Sequence, residues 1–349
     1  MAITIAGTGR FVPGEPITNH DLTRVMDTAD EWIRKRTGIG QRYYAEAGVG
    51  ASDLGCEAAK LAIADAGLEP GDIDAIVFCT MTPEHVFPGP GALMGAKLGI
   101  PGVPAFDLRQ QCAAMPYAFV LANGLVATKT ARNVLVVGAE THAGFMPWKN
   151  WDVLRGRAEG PVDPQEYAHA TKHRGMAVLF GDGAAAFVLR DAPEGRGLLG
   201  AKLHSDGRHA KHIYIPLGFS RHPWVDADAA NEDLHLPRMA GPELFKSAVT
   251  ELSSATRALL EETGLSIDDV DFFLAHQANE RINEAVRKSL GIPHEKVPSN
   301  IARYGNTSAA TIGILTDELR REGRIREGQV ICMLGLGSGL HWGSIAIRL

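Results

Sequence analysis

Cysteine is scarce in this chain: four thiols, Cys56, Cys79, Cys112 and Cys332, in 349 residues. No two have the spacing of a zinc finger, and four cysteines in so long a chain make no disulfide framework. Cys79 and Cys332 fall in apolar strand-like runs and Cys56 in a helical pattern, so these three read as buried, reduced thiols. Positive charge is not in excess either. The formal net charge of −6 argues against a general nucleic-acid binder. No apolar run reaches the roughly 20 residues a membrane span needs. The first residues, Met1 to Gly7, lack the basic lead of a signal peptide and read as a strand. No glycine-rich loop has the form of a phosphate cradle. What remains, 45% hydrophobic residues and 39 glycines, fits a globular α/β protein with a large core, expected to be soluble and cytoplasmic.

The chain carries an internal repeat. Gly67-Leu68, Asp72-Ile73-Asp74 and the run Ala75 to Phe78 are echoed by Gly264-Leu265, Asp269-Val270-Asp271 and Phe272 to Ala275, an offset of 264 − 67 = 197. The same offset carries Val134–Gly138 onto Ile331–Gly335, and Cys112 onto Ala309, three residues past Asn306. Three matches at one offset are not easily chance. Two related halves are therefore expected, 1–195 and 196–349. Loops at the carboxyl ends of strands form the ligand crevice of α/β sheets. A pseudo-two-fold axis would bring those loops of both halves to one cleft.

Helical patterns alternate with the apolar runs. Ala51 to Ala66 ends at a C′ glycine, Gly67. Its counterpart, Pro242 to Thr263, has proline near the start and Gly264 after the end. Ala113 to Val126 is apolar nearly all round and should be buried. Two segments break the repeat. Phe145 to His173 is rich in tryptophan, proline and charge. Arg208 to Arg238 carries His209, His212, His222 and His235. Both read as surface excursions over the cleft or at a subunit contact. His169 and His173 share a helix face, but no third ligand follows at a telling spacing, so no metal site is expected.

Three short stretches make one chemical kit: Gln111-Cys112-Ala113-Ala114, His276-Gln277-Ala278-Asn279 and Gly305-Asn306-Thr307-Ser308. A cysteine can carry an acyl group as a thioester, and histidine and asparagine can donate to a developing oxyanion. Taken singly, each has a plain structural reading: a buried cysteine, a strand-end histidine, a turn asparagine. Their positions in related loops favour catalysis. A cysteine at the start of a buried helix is expected to have its pKa lowered by the helix dipole.

Phe106-Asp107 with Cys112-Ala113, His276 to Asn279, Tyr304 to Ala310 and Gly335 through Ser344 resemble the thiolase-fold condensing enzymes. Among these the chain is similar, over essentially its whole length, to the β-ketoacyl-acyl-carrier-protein synthase III family. Asp30-Glu31-Trp32-Ile33, Arg36-Thr37-Gly38-Ile39, Phe87-Pro88 and Phe180 to Gly183 share the resemblance. It implies the thiolase-like fold, two duplicated halves in α-β-α-β-α layers. It also implies a reaction: Cys112 takes an acyl group from acyl-coenzyme A, and malonyl-acyl carrier protein loses carbon dioxide with His276 and Asn306 on its carbonyl. The resulting enolate attacks the acyl-cysteine. The N–H groups of Cys112 and Gly339 are the implied oxyanion hole for acyl transfer. Thr28, Trp32, Arg36 and Arg174 are implied at the coenzyme A site, and Phe87 at the floor of the acyl pocket of a neighbouring copy in a homodimer. Arg281, Arg287 and Lys288, on a helix from Asn279 to Leu290, suit an acidic carrier. Coenzyme A enters as substrate, and no cofactor is expected.

The chain departs from the family's usual pattern near the nucleophile. Arg109-Gln110-Gln111 precedes it where small residues are commoner, and Gly337-Ser338-Gly339-Leu340 lacks a third glycine. These changes leave the acyl group open, and with it primary fatty-acid against secondary-metabolite synthesis. Two alternatives stand beside decarboxylative condensation. One is acyl joining without decarboxylation, or acyl transfer to oxygen or nitrogen; the relatives that join chains this way carry a glutamate base where this chain has Phe87, with Glu84 close by. The other is a non-catalytic partner subunit, which would lack the nucleophile.

Overall fold

The apolar runs read as strands assemble into two sheets in the computed structural model, which describes residues 2–220 and 226–349. His222 lies outside the described residues. The strands are β1 (Ile3–Phe11), β2 (Ala75–Cys79), β3 (Ala105–Leu108), β4 (Val134–Glu140), β5 (Gly183–Asp191), β6 (Gly197–Ser205), β7 (Phe272–Ala275), β8 (Val330–Gly337) and β9 (His341–Arg348). The first sheet has the order β1-β5-β4-β2-β3 and the second β7-β8-β9-β6. Read from β2, the first runs β2-β4-β5-β1, the order of the second. The strands of the two sheets divide between Asp191 and Gly197.

The repeat extends to the ladder register. Parallel partners Ala75↔Val134 through Phe78↔Val137 in the first sheet correspond, 197 residues on, to Phe272↔Ile331 through Ala275↔Leu334 in the second. A one-residue slip would turn each strand's side chains to the wrong face. With both faces covered, that register is held by packing on two sides.

The helices that position the site are α1 (Asp30–Thr37), α2 (Ala51–Asp65), α3 (Ala114–Ala127), α4 (Pro164–Lys172), α5 (Gly241–Thr263), α6 (Glu280–Leu290) and α7 (Thr311–Arg321). The near-uniform apolarity of α3 has a plain cause: it lies between the sheets. Met115, Ala118 and Phe119 of α3, with Ile312, Leu315 and Leu319 of α7, share one core with Val77, Val136 and Phe187 of the first sheet and Leu274, Met333 and Ile345 of the second. Helix α2 covers the outer face of the first sheet. Helices α5 and α6 cover that of the second. The result is the layered α-β-α-β-α thiolase-like arrangement. No helix among the described residues is long and apolar enough to cross a membrane.

The 145–173 excursion is more than a surface feature. Phe145, Met146, Trp148 and Leu154 are buried in a further core with Leu22, Val25, Met26 and Ile33, joined by Leu236 from the second excursion. The two excursions and the 17–44 segment thus pack together. Apolar side chains spaced widely in sequence left no periodic signal of this core.

Candidate active site

Cys112 sits in a 3-10 turn, Gln111–Ala113, that feeds α3. At the offset of 197 (308 − 111), the turn Ser308–Ala310 feeds α7. The leading residue of each turn is in the left-handed region, Gln111 at φ 52° and Ser308 at φ 46°. Non-glycine residues rarely adopt this conformation, and it costs about 1–3 kcal/mol where sterically crowded. Here it turns both segments sharply into the central helices. The two turns meet: Cys112 Sγ donates to Ser308 Oγ at 3.3 Å.

Asn306 is held on both sides by one segment. Its N–H donates to Leu179 O at 2.9 Å, and its carbonyl accepts from Gly181 N at 3.1 Å. Its Oδ1 accepts from Ser308 N at 2.8 Å. The amide oxygen is therefore occupied and Nδ2, a donor, is left for the cavity. Gly305 precedes it at φ 67°, where a Cβ would press to 3.2 Å from both Arg42 Cβ and Leu179 O. The residue before Asn306 is glycine for both reasons.

His276 follows β7 and extends its ladder, donating from its backbone N to Leu334 O at 2.8 Å. Its Nδ1 lies 2.6 Å from Thr311 Oγ1. That leaves Nε2 as the ring nitrogen available to the cavity. Burial pushes the imidazole down to about 3, so it is neutral near pH 7.

One cavity of ≈ 740 Å³ is lined by Cys112, His276 and Asn306 together, with an apolar flank of Leu244, Phe245 and Ala248 from α5. The volume suits a small-molecule substrate. Ile213 and Met239 close its side, and Trp32, Arg36 and Arg281 stand on its wall.

The thiol does not follow the helix-dipole expectation. Burial pushes Cys112 up to about 12, offset in part by the Ser308 hydroxyl and raised further by nearby Glu140. Cys112 is only 8% exposed. A helix terminus is worth about 0.3–1 kcal/mol at an exposed site and rarely more than about 2. The desolvation here outweighs it. Glu140 is itself fully buried at the end of β4. It accepts from Thr82 Oγ1 at 2.6 Å, Thr80 Oγ1 at 2.9 Å, Met81 N at 3.0 Å and Ala309 N at 3.3 Å. This carboxylate ties the Ser308 turn to the first sheet.

The remaining expected residues divide. Trp32 carries two guanidinium groups over its ring, Arg36 at 4.3 Å and Arg174 at 4.9 Å from the centroid. Its ring is thus already stacked. Thr28 has a buried hydroxyl without a hydrogen-bond partner. Neither Thr28 nor Arg174 lines the cavity, although Gly175 does. The glycine-rich turn reaches the cavity through Gly337 and Ser338, not Gly339. A Cβ on Gly337 would lie 2.8 Å from Cys112 N. A Cβ on Gly339 would meet the His341 ring at 2.1 Å. Phe87 is 79% exposed and does not line this chain's own cavity. Glu84 accepts from Ser52 N at 2.7 Å and does not line it either.

Helix α6 corrects one expectation. Arg287 is not a free docking charge: it makes paired contacts of 2.7 and 2.8 Å with Glu284 and donates to Ile292 O at 2.8 Å. The three-residue spacing on one helix face brings that pair together. Lys288 shares Glu284 at 3.2 Å while remaining largely exposed. Arg281 is exposed at the cavity mouth. Asn279 caps α6 and donates from Nδ2 to Arg36 O at 3.0 Å, so α6 abuts α1 at the mouth. Sequence reading gave no role to Ser308, Thr311 or Glu140. The offset itself pointed to Ser308, the counterpart of Gln111; nothing local marked the others.

Comparison with known proteins places this architecture. The family model of the 3-oxoacyl-[acyl-carrier-protein (ACP)] synthase III C terminal matches residues 260–349. That of 3-oxoacyl-[acyl-carrier-protein (ACP)] synthase III matches 106–157 and 162–207. A β-ketoacyl-[acyl-carrier-protein] synthase III of Caldanaerobacter subterraneus is 40% identical over 348 residues, covering 100% of this chain and 98% of the relative. The crystal structure of a 3-oxoacyl-(acyl carrier protein) synthase III from Pseudomonas aeruginosa superposes with a TM-score of 0.85 at 34% identity, covering 100% of this chain and 98% of that one. The priming β-ketosynthase of the R1128 polyketide pathway gives a TM-score of 0.84 at 28% identity, covering 100% and 96%.

Proposed function

The chain belongs to the 3-oxoacyl-[acyl-carrier-protein] synthase III family, and from that premise we propose that it condenses an acyl group held on Cys112 with malonyl-acyl carrier protein. The observation that carries this reading is the single cavity shared by Cys112, His276 and Asn306. Cys112 Sγ attacks the thioester of acyl-coenzyme A. The new C–S bond forms, the old one breaks, and the thiol proton leaves with the coenzyme A sulfur. With the thiol pushed up to about 12, that proton departs as the acyl group arrives. The N–H of Cys112 and an N–H of the 337–339 turn, that of Gly339 as the resemblance implies, hold the tetrahedral oxyanion; Gly337 and Ser338 of the same turn line the cavity.

In the second half-reaction the malonyl C–C bond breaks and releases carbon dioxide. Its electrons become an enolate whose oxygen is held by His276 Nε2–H and Asn306 Nδ2–H. One such donor is worth about 2.7–4 kcal/mol in comparable sites. The enolate carbon then attacks the acyl-cysteine, and the Cys112 sulfur leaves and takes one proton from solvent. Atoms and charge balance without a redox partner. The product is a β-ketoacyl thioester of fatty-acid or related polyketide synthesis.

The Trp32, Arg36 and Arg174 stack suits the nucleotide end of coenzyme A, with Thr28 as a further contact. Arg281 and Lys288 suit the acidic carrier. A cytoplasmic homodimer, in which the exposed Phe87 enters the neighbour's acyl pocket, completes the reading. So does a division of the chain into halves at 195/196. The test is intact mass after incubation with a panel of acyl-coenzyme A thioesters, followed by addition of malonyl-carrier protein or malonyl-coenzyme A. One acyl adduct on Cys112, discharged with carbon dioxide release by the malonyl partner, is expected. An adduct discharged without carbon dioxide would reject decarboxylative condensation.

A further inference from the structure

We propose that His169, His173 and Asp233 form a binding site for a divalent transition-metal cation of the zinc class, which clasps the second excursion to helix α4 beside the cavity. The sequence supplied two histidines on one helix face and no third ligand. The fold supplies it from the other excursion. His169 Nε2 lies 2.9 Å from Asp233 Oδ1, and His173 Nε2 lies 3.0 Å from Asp233 Oδ2. The three donor atoms all fall within 4.8 Å of one another. Around zinc, metal–nitrogen and metal–oxygen bonds of about 2.0–2.2 Å put neighbouring tetrahedral ligands about 3.3–3.5 Å apart. Shifts of a few tenths of an ångström at the two contacts, and a modest approach of the two rings, would open that space.

The tautomer of His169 is the independent observation. Its Nδ1 lies 3.1 Å from Pro147 O, and a carbonyl can only accept. Nδ1 therefore carries the proton. In a neutral ring Nε2 is then a lone pair, aimed at a carboxylate oxygen that also can only accept. Two acceptors face each other unless a second ring proton or a metal ion stands between them, and the titration below distinguishes the two. A ring N–H held by a backbone carbonyl with the other nitrogen turned to a metal is the common outer-shell arrangement of metal-bound histidine. Two neutral imidazoles, one carboxylate and an open position for water match the borderline-soft zinc-type ions.

Lys172 competes for the same carboxylate, with Nζ 2.8 Å from Asp233 Oδ2. Its side chain is 66% exposed, so it can swing into solvent when a divalent ion arrives. The clasp would act on the cavity wall through the chain. Asp233 leads through buried Leu234 and Leu236 to Arg238–Met239, paired with Ile213–Tyr214. Ile213 and Met239 line the cavity.

The experiment uses the full chain, stripped with chelator, and titrates it with Co²⁺ as a visible probe, then displaces it with Zn²⁺. One Co²⁺ per chain is expected, with nitrogen–oxygen ligand-field bands and no thiolate charge-transfer band. His169→Ala, His173→Ala and Asp233→Asn should each weaken binding by about 100-fold or more, beyond what loss of an outer-shell partner causes. Lys172→Ala, at an exposed position, should tighten it severalfold. Cys112→Ala should leave the spectrum unchanged. Absence of saturable uptake would overturn the site, leaving an ion-paired cluster with a protonated His169. So would uptake that Cys112→Ala abolishes and Asp233→Asn does not. Lys172→Ala without effect on binding would equally contradict it, whatever the folding of the other variants.

Discussion

Thr311→Val is the sharpest probe of how the second half-reaction is arranged. The Thr311 hydroxyl has one proton and two neighbours, His276 Nδ1 at 2.6 Å and Ser308 O at 3.1 Å. Burial holds His276 neutral, so its ring carries a single N–H. For Nε2–H to face the cavity as a donor, Nδ1 must accept, so the Thr311 proton must turn to it from Ser308 O, to which the hydroxyl otherwise donates at 3.1 Å. Thr311 is 3% exposed, so water does not readily replace a lost hydroxyl. Valine removes the donor, keeps the shape and leaves Nδ1 free to take the proton. The cost of an unmet buried partner is about 1–3 kcal/mol, which is about 5- to 150-fold in rate. The loss should fall on carbon dioxide release from the malonyl thioester. Acyl loading of Cys112, followed by intact mass, should change by less than about threefold, since it does not use that donor. Thr311→Ser should restore decarboxylation. Equal losses in both half-reactions, or a wild-type decarboxylation rate in the valine variant, would refute the tautomer argument. The same depressed pKa predicts a sign: a group titrating near 3 stays neutral as pH rises, so His276 should put no inflection in the decarboxylation rate above pH about 5.

Other expectations concern the remaining residues. Cys112→Ala and Cys112→Ser should abolish the stable acyl adduct, and alkylation of the wild-type thiol should rise about tenfold per pH unit through pH 9; a plateau near pH 7 would show that the helix terminus outweighs burial after all. His276→Ala and Asn306→Ala should each keep acyl loading while losing about 100- to 1,000-fold in decarboxylation, read from adduct mass beside carbon dioxide release. Light scattering should give a dimer at micromolar concentration, and Phe87→Ala should shift donor chain-length preference; a monomer, or an unchanged preference, contradicts the cross-subunit pocket. Arg281→Glu should lower the rate with malonyl-carrier protein much more than loading from acyl-coenzyme A, and more so at low salt, because exposed charges beyond about 8–10 Å are screened at physiological ionic strength.

The sequence alone determined the repeat and with it much of the fold. An offset of 197 residues predicted strands, and the structure carries it into ladder register, into matching 3-10 turns and into the paired left-handed residues Gln111 and Ser308. It also singled out Cys112, His276 and Asn306, each next to a small residue, and the structure lines one cavity with all three. Local pattern carries such information since it depends on backbone conformation and side-chain periodicity. Tertiary structure decided what depends on neighbours far along the chain. The Cys112 thiol is raised rather than lowered, because two turns 197 residues apart bury it against each other. Ser338 rather than Gly339 meets the cavity because the glycine-rich turn crosses the Cys112 backbone at Gly337. Arg287 pairs with Glu284, although both residues were visible, because side-chain direction and the Ile292 carbonyl settle the choice. Asp233 reaches His169 and His173 across 64 and 60 residues of chain. Desolvation and charge pairing are sums over the three-dimensional neighbourhood, and no window along the sequence contains that neighbourhood.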